Sequence, residues 1–174
     1  LGNLIADAQL AASAGAGAQI AFMNPFGIRT PLNPAADGTL TFGDIYACQP
    51  FNNTLSTQSL TGAELKAVLE QGFDDNGPLQ VLSPSVGFTF RFDLSRPVGN
   101  RVVEMVLNGQ PIDPAANYRV TTNSFLANGG DSFSLFARQR EAVTGMSDLD
   151  ALEAWLKSVP PRQVPAEVRA SPAG

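Results

Sequence analysis

The sequence predicts a layered domain of the α/β or α+β class, with helices both before and between its strands. Three patterns support this prediction. Residues 86–94 alternate phenylalanine with polar side chains, which is typical of a strand with one buried face. Thr61 and Glu64 have the spacing of a reciprocal N-terminal capping box, so a helix is expected to begin there. Asn108 and Gly109 follow an apolar run and are a residue pair strongly favoured in tight β-hairpins.

The other elements are predicted from hydrophobic periodicity. Residues 1–13 carry aliphatic side chains at helical spacing, and residues 19–24 form a short apolar run suited to a buried strand. Residues 41–51 are expected to form a short helical turn or a connection. Three further segments have the composition of strands: residues 53–60, 101–113 and 117–126.

The C-terminal part is predicted to contain one more helix and then an irregular tail. Ser147 can cap a helix whose leucines and single tryptophan share one face. Residues 158–174 are rich in Pro, Ala and charge, so they are predicted to form a linker or a disordered end. One domain is therefore expected at residues 1–157.

Composition excludes several classes of function. The 174 residues carry a net charge of −5, whereas binding to nucleic acid or an anionic membrane needs a basic face. No apolar run approaches the roughly 20 residues of a membrane-spanning helix. The absence of histidine rules out a Ser-His-Asp triad, a Cys-His pair and His-containing zinc sites, so any catalytic chemistry is expected to come from elsewhere. A carboxylate-only Mg²⁺ or Ca²⁺ site stays possible, but no Asp-rich calcium loop is present.

Three loop stretches carry side chains that could form a binding site. In residues 24–29 (NPFGIR), Asn24 offers a donor and an acceptor, and Arg29 offers a planar guanidinium that fits a phosphate. In residues 49–53 (QPFNN), Phe51 follows a proline in a polar setting, where its ring can stack on a base. The structural alternatives are a surface arginine and a phenylalanine that anchors the core.

The third stretch, residues 123–133 (NSFLANGGDSF), follows a predicted strand. Gly129 and Gly130 permit positive φ angles and a close approach of the backbone. Asp131 either caps a helix or accepts hydrogen bonds from two vicinal ribose hydroxyls. With Phe125, the three stretches supply the groups that hold a nucleoside monophosphate: an arginine for the phosphate, an aspartate for the sugar and two rings for the base.

The order of several motifs resembles one known family. The motifs are LGNLIADA, NPFGIRTPL, GDIYACQPFNNTL, LTGAELKAVLE, NGQPIDPAANYRVTTNSFLANGGDSF and SDLDALEAWL. Together they are similar to the C-terminal domain of the 5′-nucleotidase family, whose bacterial members include periplasmic UDP-sugar hydrolases. The similarity runs from residue 1 to about residue 156 and implies an α+β, mixed-sheet layered domain. It also implies a periplasmic, cell-surface or secreted location.

The resemblance implies a division of labour between two domains. In the family, an N-terminal metallophosphatase domain carries two divalent metals and the catalytic histidine and aspartate residues. The C-terminal domain binds the nucleoside part of the substrate, and a hinge movement delivers the phosphate to the metals. The expected ligand is therefore a nucleoside monophosphate or a nucleotide sugar. No catalytic residue, metal or cofactor is expected in this domain, which should be inactive by itself as a piece of a longer protein.

The motif matches imply substrate-binding roles residue by residue. Phe51 and Phe125 match the two phenylalanines that stack on the base. Asp131 matches the aspartate that binds the ribose hydroxyls, and Arg29 matches a phosphate-binding arginine. Asn24 matches an asparagine near the base and the phosphate arginines. A loop-shaping role is implied for the last two matched residues, Asn128 and Gly130.

Departures from the family pattern bear on the substrate. Phe26 stands where the family usually has glycine, and its ring either narrows the pocket or points away. A further phosphate-binding arginine of the family lies upstream of the position of Leu1. The alternative functions are a stand-alone nucleoside- or nucleotide-binding module, or the equivalent domain of a 2′,3′-cyclic phosphodiesterase or a sulfur-oxidation hydrolase. The pair of phenylalanines favours an aromatic base over a small sulfur compound.

Overall fold

The computed structural model describes residues 1–158 and 163–174. The helices in this part of the chain are α1 Gly2–Ala12, α2 Phe42–Cys48, α3 Gly62–Gln71, α4 Ser124–Ala127 and α5 Asp148–Ser158. The strands are β1 Ile20–Met23, β2 Thr54–Thr61, β3 Ser83–Pro84, β4 Phe88–Phe92, β5 Val102–Leu107, β6 Gln110–Pro111, β7 Asn117–Asn123, β8 Val143–Ser147 and β9 Ala170–Pro172. None of the described helices has the length and apolar character that a membrane span requires.

The strands form two mixed sheets. The five-stranded sheet has the order β3-β1-β7-β2-β8, in which β1 and β7 pair in parallel and the other neighbours are antiparallel. The four-stranded sheet has the order β6-β5-β4-β9, in which only β4 and β9, among the described strands, are parallel. This architecture confirms the predicted α+β, mixed-sheet layered domain.

The main hydrophobic core lies between the two sheets and is rich in phenylalanine. Phe22 of β1 meets Phe88 of β4 edge to face, with 5.5 Å between ring centroids. Phe73, which follows α3, stacks on Phe92 of β4 at 4.7 Å. Edge-to-face and offset stacking are the favoured geometries of aromatic pairs, so these contacts add to the burial of the rings.

A second core lies on the other face of the five-stranded sheet. Adjacent strand residues point to opposite faces, so Phe22 enters the main core while Met23 packs with α1, α2 and α5. Leu149 and Leu152 of α5 are buried in this second core, and Trp155 packs against it, as their helical spacing predicts. Both faces of β1 are therefore covered, which fixes the strand firmly.

Local sequence signals are confirmed where they were strongest. The Thr61 hydroxyl accepts from the Glu64 N–H at 3.1 Å, and the Glu64 carboxylate accepts from the Thr61 N–H at 2.8 Å. Asn108 and Gly109, with φ angles of 51° and 78°, form the hairpin turn between β5 and β6. Both angles lie in the left-handed region that such two-residue turns require.

The prediction of an irregular tail at residues 158–174 is wrong for the last residues of that segment. Residues 159–162 of that tail lie outside the described residues, but Ala170–Pro172 form β9 and pair in parallel with β4. Arg169 is 3% exposed, and its guanidinium donates to both carboxylate oxygens of Asp7 at 2.6 and 3.1 Å. Local composition missed this strand because its stability comes from partners far away in sequence.

Replacing Arg169 by Ala should destabilise the fold strongly. The substitution leaves the buried Asp7 carboxylate without its guanidinium partner, and loss of one member of a buried ion pair costs about 3–5 kcal/mol. Urea unfolding followed by fluorescence or circular dichroism would measure the loss of unfolding free energy.

Arg91→Ala is the matched control for this substitution. Arg91 lies on β4 and pairs with Glu104 at 3.9 Å, with both side chains about half exposed. Exposed pairs contribute at most about 1 kcal/mol. Equal losses in the two variants would contradict a structural role for the buried pair.

Candidate functional site

The strand order brings four chain segments to one edge of the five-stranded sheet. The carboxyl ends of β1 and β7 lie side by side because these strands are parallel. The amino end of β2 reaches the same edge, since Leu55 lies opposite Asn123 at the end of β7. The carboxyl end of β8 also arrives there, with Ser147 opposite Thr54. Loops that follow the carboxyl ends of parallel strands are common places for ligand sites.

A cavity of about 420 Å³ opens at this edge, within the range of small-molecule sites. It brings together five of the residues matched to substrate binding, from three separate loops: Asn24, Arg29, Phe51, Phe125 and Asp131. Asn128 and Gly130 do not line the cavity. The Asn128 side chain instead accepts a hydrogen bond from Gln139 at 2.8 Å.

A chain of hydrogen bonds holds Asp131 at the cavity wall. The Asn123 amide donates to Asn24 Oδ1 at 2.9 Å, and the Asn24 amide donates to Asp131 Oδ2 at 2.7 Å. Asn24 is 1% exposed, so its amide has little freedom to reorient. The parallel pairing of β1 and β7 thus sets the position of a carboxylate that lies 107 residues from Asn24 in sequence.

The glycine pair shapes the turn that presents this carboxylate. Gly129 has φ 85° and Asp131 has φ 53°, so the backbone is left-handed at both residues. A Cβ atom at Gly130 would lie 2.5 Å from the Phe125 ring, so only glycine lets the ring pack there. Asp131 forms no helix cap: Gly129 occupies the N-cap position of the short turn. The capping alternative for Asp131 is therefore wrong.

Three phenylalanine rings stand exposed around the cavity. Phe26, Phe51 and Phe125 are each about half exposed and line its wall, whereas the core phenylalanines are buried. The core-anchor alternative for Phe51 is therefore wrong. Phe26 does not point away from the cavity, so its ring takes up space in it. Exposed aromatic clusters of this kind are typical of binding surfaces.

Arg29 supplies the positive charge of the cavity. Its guanidinium carbon lies 5.8 Å from the centroid of the Phe51 ring, within the range of a cation–π contact. Its backbone N–H donates to the Cys48 carbonyl at 2.9 Å, which ties its loop to the end of α2. Within residues 1–158 and 163–174, no carboxylate forms an ion pair with Arg29. The guanidinium is thus available to an anion.

Sequence reasoning missed three polar residues of the wall: Asn53, Asn123 and Asp148. Asp148 opens α5 and reads in the sequence as an ordinary first-turn acid. It is nevertheless 2% exposed, and burial raises the pKa of its carboxyl to about 6, although a hydrogen bond from the Asn53 side chain opposes the rise. A general sequence signal for such a residue does not exist, because burial depends on the elements packed around α5.

The described residues contain no group of three or more His, Cys, Asp or Glu side chains placed to hold a metal ion. The cavity combines aromatic faces, one cation and two carboxylates. It can therefore stack on a planar ring, accept hydrogen bonds from hydroxyl or amino groups, and bind an anion through Arg29.

Asp148→Asn should stabilise the protein at neutral pH. The carboxyl has a pKa of about 6 in the fold against 3.8 for the free group, so its ionisation opposes folding. The penalty is nearly absent at about pH 3 and below, where the group is protonated in both states, and complete once the pH has risen past the folded pKa. Allowing for solvent screening, a gain of roughly 1–2 kcal/mol is expected at about pH 7.5.

Urea unfolding of both proteins at about pH 3 and 7.5 would measure this gain. The variant and the wild type should be nearly equal at the acidic pH, since the asparagine is then compared with a neutral acid. A wild type that is more stable than Asp148→Asn at the higher pH would contradict the expectation.

Comparison with known proteins identifies the family of this chain. The family model described as "5′-nucleotidase, C-terminal domain" matches residues 1–138. The trifunctional nucleotide phosphoesterase protein YfkN of Bacillus subtilis is 39% identical over 143 residues, which are 78% of this chain and 10% of the relative. The cell wall protein Lmo0130 of Listeria monocytogenes is 37% identical over 79% of this chain and 18% of its own length.

A solved structure shows the same fold. The 5′-nucleotidase precursor from Thermus thermophilus superposes with a TM-score of 0.88 and 38% sequence identity, over 98% of this chain and 34% of that chain. The present chain spans only a minor part of each of these relatives. With a family model that matches most of its length, the chain belongs to the 5′-nucleotidase C-terminal domain family.

Proposed function

We propose that this chain is the substrate-binding domain of an exported phosphohydrolase of the 5′-nucleotidase type, and that its cavity holds the nucleoside part of a nucleotide. The observation that carries the proposal is the convergence of two exposed phenylalanines, a carboxylate and an arginine in one cavity. These groups complement the base, the sugar and the phosphate of one ligand. The ligand is a nucleoside monophosphate or a nucleotide sugar.

The base stacks between Phe51 and Phe125 in this proposal. Both rings project into the cavity from different loops, one before β2 and one at the start of α4. Stacking on aromatic side chains tolerates any base, because every base has a π face. Phe26 narrows the same space, so bulky substituents on the base should fit poorly.

The ribose binds to Asp131. Asn24 donates to one carboxylate oxygen of Asp131; the other oxygen accepts no hydrogen bond from the described residues, so its lone pairs are available to the ligand. A carboxylate accepts readily from the two vicinal hydroxyls of ribose. The buried Asn123–Asn24 pair restricts the rotation of this carboxylate, so less conformational entropy is lost when the sugar binds.

The phosphate binds to Arg29, whose guanidinium has no carboxylate partner in the described chain. A guanidinium offers two parallel N–H groups to phosphate oxygens. Hydrolysis itself is assigned to an N-terminal dimetal domain of the same protein, which would supply the two divalent metals. An exported location agrees with the relationship to a cell wall protein.

Phe51→Ala and Phe125→Ala should each weaken adenosine binding to this chain. Loss of one stacking partner removes about 1–3 kcal/mol of binding energy, which is roughly a five- to hundredfold increase in Kd. Calorimetry or NMR titration of the 174-residue chain would measure the effect.

Phe42→Ala is the matched control for the ring substitutions. Phe42 is 53% exposed, as much as Phe51, but it lies outside the cavity. Its loss should leave the adenosine Kd unchanged. If Phe42→Ala and Phe51→Ala weakened adenosine equally, the assignment of the cavity as the base site would be lost.

Arg29→Gln should lower the affinity for adenosine monophosphate and leave that for adenosine nearly unchanged. Charge-assisted hydrogen bonds to phosphate contribute about 1.5–3 kcal/mol, so the Kd of the monophosphate should rise at least about tenfold. Titration of both ligands with both proteins would measure the difference. An equal effect on both ligands would place Arg29 away from the phosphate.

This chain is not expected to release phosphate from adenosine monophosphate, because it has no histidine and no metal-ligand cluster among its described residues.

A further inference from the structure

The ring of Phe51 contacts the guanidinium of Arg29, which is proposed above to bind the phosphate. The guanidinium carbon lies over the ring, 5.8 Å from its centroid. Within residues 1–158 and 163–174, the Arg29 side chain forms no hydrogen bond and no ion pair. Both side chains are exposed and line the cavity. A ligand in the cavity can therefore reach both groups, and the ring is the contact that holds this guanidinium before a ligand binds.

The backbone fixes the two side chains next to each other. The Arg29 N–H donates to the Cys48 carbonyl at 2.9 Å, and Cys48 is fully buried at the end of α2. The chain then passes through the buried Gln49 and reaches Phe51. Asn52, with a φ angle of 50°, turns the backbone directly after the ring. The contact between the arginine and the ring is therefore built on a backbone that is held at both segments.

The second stacking ring has a different neighbour. Within the part of the chain that the structure describes, no cation lies over the Phe125 ring. This ring packs against Gly130, where an added Cβ atom would lie 2.5 Å from it. Gly130 directly precedes Asp131, the carboxylate proposed for the sugar. The two rings are thus chemically distinct, because only Phe51 contacts the group proposed for the phosphate.

We propose that Phe51 is a positioning residue for Arg29 as well as a stacking partner of the base, with the guanidinium on one face of its ring and the base on the other. The inference rests on the proposed function. An exposed arginine loses much rotamer freedom when it binds an anion. A cation–π contact restricts the guanidinium beforehand, so less entropy is lost when the phosphate binds. Phe51 therefore contributes to the binding of the phosphate, and the base and phosphate sites share one side chain.

Ribose 5-phosphate separates the two roles of Phe51, because it carries the sugar and the phosphate but no base. A ring that only stacks on a base contributes nothing to the affinity for this ligand, whereas a ring that holds Arg29 does. Exposed cation–π contacts are weak, so Phe51→Ala should raise the Kd of ribose 5-phosphate about two- to fivefold. NMR titration of the 174-residue chain would measure this change. In the same variant, adenosine monophosphate should lose affinity by this factor in addition to the loss measured with adenosine.

Matched variants identify the interaction that causes the loss. Phe125→Ala should weaken adenosine and adenosine monophosphate by the same factor, since its ring does not contact Arg29. Phe51→Tyr should restore the affinity for ribose 5-phosphate, whereas Phe51→Leu should not, because leucine fills the space without an aromatic face. In an Arg29→Gln background, Phe51→Ala should no longer change the Kd of ribose 5-phosphate, as expected for two residues that act through one contact.

Failure of this inference can be distinguished from failure of the proposed function. Equal losses of adenosine and adenosine monophosphate in Phe51→Ala would overturn the positioning role and leave the base site intact. Full rescue of ribose 5-phosphate binding by Phe51→Leu would also overturn it, since packing alone would then hold the arginine. A wild type that binds neither adenosine nor adenosine monophosphate would overturn both proposals. Phe51 is half exposed and lies outside both cores, so its variants are expected to fold.

Discussion

The parallel pairing of β1 with β7 is the constraint on which the site depends. It places the two carboxyl ends side by side, so Asn24 and Asn123 can form the buried amide pair that holds Asp131. Parallel neighbours need a crossover, and here the crossover contains β2 and three strands of the four-stranded sheet, β4, β5 and β6. The same long connection therefore builds the main core and returns the chain to the sheet edge. The connection between β1 and β7 therefore contributes both to the hydrophobic core and to the binding site.

The site is assembled at some cost to stability. Three large rings are left about half exposed and one carboxyl is buried without a full set of partners. Neither feature helps the chain to fold, and the exposed rings are understandable if a ligand covers them. The rigid support comes from the two cores, where β1 is covered on both faces. A stiff strand limits the movement of the loops that begin at its end.

The C-terminal residues also form contacts with residues far away in sequence. β9 joins the four-stranded sheet beside β4, and the buried Arg169 forms an ion pair with Asp7 of α1, 162 residues away in sequence. Asp7 also accepts from the Val86 N–H at 2.6 Å, so one carboxylate connects α1 with the segments just before β4 and β9. The ends of the described chain thus close onto the centre of the fold.

By itself, the sequence determined the elements whose signals are local. The capping box at Thr61, the alternating phenylalanines of β4 and the Asn108-Gly109 turn follow from the chemistry of neighbouring residues. The motif resemblance also named the five matched residues that line the cavity. Only the tertiary structure decided that Asp148 joins them in the cavity wall, because in the sequence it resembles an ordinary first-turn acid. Only the tertiary structure showed that the last residues of the predicted tail form β9. Burial and strand pairing are properties of the partners that surround a residue, and those partners lie far away along the chain.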